Sequence, residues 1–225
     1  FWEDQKERTE EASQISAKVR VSYQGRGGKK ISGNGRLVLQ PDQKLRLELR
    51  DPLGRIHYLA ALTDGHFVAH YPRQKLAYID DKAGGADVRA FLGIAFNFSD
   101  LHSLMLGSLP GRFAKATFET WHFDKPTHTY RGLLTVGDYR VLATVDAGSA
   151  ALRALELSSK AGKITLDYSA FEPCCHGITA SHSVRVAQVV DLKLDRARTS
   201  LSIEWEKIGP LDKARPAEVV RLRVP

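Results

Sequence analysis

The sequence predicts a single, mainly antiparallel β domain of ten or more strands with a small helical insertion. Two observations carry that reading. Apolar and polar residues alternate in segment after segment along most of the 225 residues, the pattern of half-buried strands. The period changes to helical spacing only between about residues 86 and 109, and no fixed-period repeat or long linker divides the chain.

The elements follow in order. "WEDQKERTEEAS" is polar and rich in helix formers, which predicts an N-terminal helix over about residues 2–13. In "ISAKVRVSY", Ile15, Ala17, Val19, Val21 and Tyr23 share one face, and Ser16, Lys18, Arg20 and Ser22 share the other. "QGRGGKKISGNG" reads as a mobile hairpin connection; it is Gly-rich and basic, but a strand rather than a helix follows it, so it is no phosphate loop. "RLVLQ", "KLRLELR" and "RIHYLAALT" are strands, with Leu45, Leu47 and Leu49 on one face. "GHFVAHY" and "KLAYID" extend the meander across turns at "TDG" and "PRQ". "ADVRAFLGIAF" and "SDLHSLMLGSLPG" then read as two short helices, with Ser99 and Asp100 at an N-cap and Gly107 with Pro110 as a stop. Beyond Arg112 alternation resumes through to "TSLSIEWEKI".

A sheet this large curls because strands twist, and its concave apolar face must be covered. Phe91, Leu92, Ile94, Leu101, Leu104 and Met105 give the helices the apolar stripes to do so. The cover is either a packed core or a lid over a cavity for an apolar ligand.

Between the strands of "LRLELRDPLGRIHYLAAL" sits a corner with Leu53 between Pro52 and Gly54. Hairpin tips ordinarily take Asn, Asp, Gly or Ser, so an apolar tip points to burial or to an apolar partner.

The net charge of +7 favours anionic partners. Basic and acidic residues are mixed along the strands, and no nucleic-acid recognition motif emerges. No stretch reaches the ~20 apolar residues of a membrane-spanning helix. Cys174 and Cys175 are adjacent, so with His176 and His182 they are awkward metal ligands; a vicinal disulfide or two free thiols is the better reading. His66 and His70 fall on a strand, where four residues span ~13 Å, too far apart to share an ion. Asp80 and Asp81 are adjacent, hence on opposite faces of a strand, and make a poor catalytic pair. No nucleophile elbow is present, and the reading is of a protein that is not an enzyme, with no cofactor or metal.

"LRLELRDPLG", followed by "LGIAFNFSDLHSLMLGSLPG", resembles the LolB family of outer-membrane lipoprotein receptor and insertion factors, within the LolA/LolB-like lipoprotein carrier superfamily. The resemblance is specific over about Tyr23 to Gly111 and rests on strand pattern beyond. It implies one domain over residues 1–225, an unclosed antiparallel β-barrel of about 10–11 strands with a helical lid. It implies a cavity for lipoprotein acyl chains, lined by Leu45, Leu47, Leu49, Phe91, Leu92, Ile94, Leu104 and Met105. It implies a membrane-insertion corner at Pro52, Leu53 and Gly54. The implied partners are a periplasmic LolA-like carrier and the outer-membrane phospholipid surface. The implied state is a monomer on the periplasmic face of the outer membrane, lipid-anchored through a segment upstream of Phe1. The alternative is a scaffold lipoprotein of an envelope complex with the same fold and no transported ligand.

Overall fold

The computed structural model describes residue 3 and residues 15–25, 27–28, 30–40, 44–63, 66–80, 98–113, 116–160, 162–176, 183–195 and 198–210. The expected N-terminal helix and the first part of the helical insertion, with Phe91, Leu92 and Ile94, lie outside them, as do Asp81, His182 and the side chains of Asp80, Cys174, Cys175 and His176.

Among the described residues, 13 strands form one antiparallel sheet, where the resemblance implies about 10–11. The strands are β1 (Ile15–Gln24), β2 (Lys30–Gln40), β3 (Lys44–Arg50), β4 (Ile56–Thr63), β5 (His66–Tyr71), β6 (Leu76–Asp80), β7 (Phe118–Asp124), β8 (Thr129–Val136), β9 (Tyr139–Asp146), β10 (Leu152–Ser159), β11 (Gly162–His176), β12 (Ser183–Leu194) and β13 (Thr199–Pro210). Their order is β6-β5-β4-β3-β2-β1-β13-β12-β11-β10-β9-β8-β7. Two meanders are thus joined side by side through β1 and β13, which pair from Ile15↔Pro210 to Gln24↔Ser200. Strands β6 and β7 are the two edges, and no pairing joins them, so the sheet is unclosed.

Alternation sets which face is apolar. Ile15, Ala17, Val19 and Val21 of β1 are buried on the concave face, beside Leu37 and Leu39 of β2. "GRGGKKISGNG" is not wholly a loop: β2 begins at Lys30 and runs through Gly33 and Gly35. These glycines carry no side chain, so they hide the alternation that Leu37 and Leu39 continue. Strand β11 likewise runs on through Pro173 to His176 and pairs with β12, with a bulge between Pro173 and Cys175. Proline is tolerated in a strand where a bulge interrupts the ladder.

One helix, α1 (Phe98–Met105), is described in the insertion. Asp100 falls inside its first turn rather than at a cap. Its end is a Schellman closure: the Gly107 N–H donates to the Leu104 carbonyl at 3.0 Å and the Ser108 N–H to the Ser103 carbonyl at 3.0 Å. Gly107 has φ +69°, which glycine adopts without cost. The helix lies over the concave face between two cores. Leu104, with Leu109 and Phe113, joins the core of β8–β12. Met105 and Leu106 join the core of β1–β5 and β13, around Trp205 and Phe67.

Candidate functional site: an apolar cavity and its corner

Among the described residues, the β1–β5 half of the concave face is not filled. A cavity of about 1240 Å³ remains there, larger than the ~300–1,000 Å³ of ordinary small-ligand sites. Leu45, Leu47 and Leu49 of β3 form one wall, opposite Met105 of the helix, with Phe67 and Ile203 also lining it. Leu104 turns instead into the other core.

The close packing of the wall beside the cavity has a local cause. On β2 the concave positions are Gly33 and Gly35, adjacent to Val21 and Val19 of β1. A Cβ at Gly35 would stand 1.9 Å from the Glu48 carbonyl oxygen, so β3 approaches there as only glycine permits. A Cβ at Gly33 would lie 3.3 Å from the His57 ring. Sequence reading missed Gly33, His57 and the Tyr58–Tyr71 ring pair, whose centroids are 5.0 Å apart. The signal was available: two glycines spaced by two residues, in phase with Leu37 and Leu39. Burial raises the Tyr58 hydroxyl well above its ordinary pKa, helped by Tyr71 beside it, and burial raises Tyr71 as well.

The cavity lining reaches Arg50, Asp51 and Pro52, so it runs directly into the corner. There Leu53 is 76% exposed. The corner is held from beneath by Asp51. One oxygen of its carboxylate accepts the Leu53 and Arg55 backbone N–H groups, each at 2.9 Å. The other accepts the Arg55 Nε at 2.9 Å and the Arg73 guanidinium. Burial alone would raise this carboxyl, but the Arg55 and Leu53 N–H groups and the Arg55 guanidinium outweigh it and hold Asp51 below the usual carboxylate range. The Gly54 N–H donates to the Asp51 carbonyl at 2.8 Å, and the Arg50 Nη1 donates to the Gly54 carbonyl at 2.9 Å. Gly54 has φ +79°, which completes the turn. On the convex face of β3, Glu48 bridges Arg46 and Arg50 at 2.6 and 2.8 Å.

Arg73 comes from the 3₁₀ turn Pro72–Gln74 between β5 and β6. It ties that hairpin to the β3–β4 corner, a contact between residues 22 apart in sequence that no local pattern discloses. His66 and His70 both lie on β5, four residues apart along an extended strand. Among the described residues no cluster of His, Cys, Asp or Glu has a metal-holding arrangement, and no helix is long and apolar enough to cross a membrane.

An unclosed antiparallel sheet with a helix across its concave face and an apolar cavity beneath is the LolA-like fold. Solved structures share it, among them the following three. A domain assigned by name to outer membrane lipoprotein sorting, from Vibrio parahaemolyticus, superposes with a TM-score of 0.68 at 10% identity, covering 96% of this chain and 93% of its own. A DUF1329 family protein from Desulfovibrio piger gives 0.64 at 11% identity, covering 97% of each chain. A LolA superfamily protein from Nitrosomonas europaea gives 0.63 at 10% identity, covering 98% and 96%. No protein-family profile matches the sequence, and no curated protein matches it.

Proposed function

We propose that the chain is a lipid-binding protein of the cell envelope that holds the acyl chains of a lipoprotein in the β1–β5 cavity and releases them into a membrane at the Leu53 corner. The observation that carries this reading is continuity: the apolar cavity ends at Pro52, beside the exposed Leu53. A chain of about ten methylenes leaving water for such a wall gains about 8 kcal/mol. Leu53 itself would gain about 1.5–3 kcal/mol in an apolar layer. That orients a protein already held near a membrane but does not anchor it. A carrier of the same fold would deliver the lipoprotein, and the periplasmic face of the outer membrane would receive it. The sorting name of the Vibrio relative supports the reading.

Organic extraction of the chain purified from envelope fractions, followed by mass spectrometry, tests it. Acylated lipid or lipopeptide in stoichiometric amount is expected. A lipid-free protein that also crosslinks in cells to envelope proteins, but never to lipoproteins in transit, would leave the scaffold reading in its place.

A further inference from the structure

We propose that the corner end of the β1–β5 half is a docking surface for anionic phospholipid, built as a ring of cations around Leu53. Meander topology brings three hairpins to one end of that half: β1–β2, β3–β4 and β5–β6. Their described residues present Lys30, Arg50, Arg55, Arg73 and Lys75. The side chains of Arg50, Arg55 and Arg73 are 48%, 64% and 57% exposed. The carboxylate among them, Asp51, is only 9% exposed. It is spent inward, gripping the Leu53 and Arg55 backbone and two guanidiniums at once. The anion is therefore sequestered as a pin while the cations that it positions face outward. A guanidinium carries five N–H donors, so those not turned to Asp51, Glu48 or the Gly54 carbonyl stay available to phosphate oxygens.

An apolar residue projecting through a rigid ring of cations matches a bilayer with anionic head groups. Leu53 enters below the phosphates and the arginines meet them at the surface. A polyanion such as a nucleic acid would use the cations but leave Leu53 in water. The inference rests on the reading that the corner meets a membrane, and not on what the cavity carries.

Co-flotation with vesicles tests it, using phosphatidylcholine alone and phosphatidylcholine doped with phosphatidylglycerol, over a salt series. The chain is expected to float with the doped vesicles at low salt and to be released as salt shortens the screening length. Lys30→Gln and Lys75→Asn should each weaken binding about fivefold. Lys75 sits at φ +51°, where asparagine is well tolerated. Lys125→Gln, in the β7–β8 turn, should leave binding unchanged. Leu53→Ser should weaken binding to doped vesicles while leaving its salt dependence. Equal, salt-insensitive binding to both vesicle types would overturn the cation ring but keep a membrane-facing corner. Binding to neither would overturn both. Capture by heparin without vesicle binding would make the surface a general polyanion site and overturn the proposal.

Discussion

Leu53 is exposed because everything around it is committed elsewhere. Pro52 fixes one side of the turn, Gly54 takes the positive φ, and Asp51 consumes the local N–H donors, so the leucine has no path back to the sheet. Removing an exposed side chain of this kind alters stability by about 0.5 kcal/mol or less. Leu53→Glu should therefore melt like the unaltered chain and bind acyl probes equally well. It should fail to pass a labelled lipoprotein into vesicles, because a carboxylate resists the apolar layer. Undiminished transfer by this variant would remove Leu53 from the membrane step; a large drop in melting temperature would mean that it packs in the fold. That the tip is apolar was readable from "DPLG" alone. That Asp51 and Arg73 make it rigid was not, because their contact spans two hairpins.

At the scale of the element, α1 is the part whose packing is sensitive to pH. His102 is buried on it. Burial depresses its pKa to about 4, against the opposing effect of its hydrogen bond to the Gln40 backbone carbonyl. Among the described residues its Nε2 is buried without a partner. The imidazole is neutral in the folded chain and has an ordinary pKa near 6.5 once unfolded. Between those values the unfolded state binds the extra proton, so stability is complete above about pH 6.5 and declines as pH falls towards about 4. At about 1.4 kcal/mol per unit, the loss is on the order of 3 kcal/mol. Urea denaturation from pH 7.5 to 4.5 should show this decline, and His102→Leu should flatten it. An unchanged slope in that variant would assign the decline to other groups. The helix stop at Gly107 and Pro110 was legible because glycine and proline act through backbone geometry, which sequence states directly. The start was misplaced by a residue or two, since Ser99 and Asp100 resemble caps wherever they stand near a helix entrance.

For the whole molecule, the alternation in β1, β3, β4 and β9–β13 was enough to predict one large antiparallel sheet. It could not give the order of strands. The pairing of β1 with β13 joins residues nearly a chain length apart, and both strands would read the same in any other position. The first half of β2 was read as a loop because Gly33 and Gly35 erase the apolar face there. The same two residues let the Glu48 backbone and the His57 ring approach β2 along the cavity wall, so the feature that misled the fold reading is part of the site. Leu45, Leu47, Leu49 and Met105 were named from pattern and resemblance, and they line the cavity. Leu104 was named with them, but it turns to the β8–β12 core, because adjacent helix positions face different halves of the concave surface.

Equilibrium titration with a fluorescent fatty-acyl probe shows most directly whether this cavity takes an acyl chain. It should be run on the unaltered chain and on Leu47→Trp, with melting temperatures for both. Leu47 faces the open space, so a larger ring has room to enter it without displacing the β8–β12 core. The unaltered chain is expected to bind the probe saturably, and the variant at least about tenfold more weakly at a similar melting temperature, a difference of about 1.4 kcal/mol. No saturable binding by the unaltered chain, or equal binding by a Leu47→Trp variant that melts normally, would contradict acyl-chain binding in the cavity.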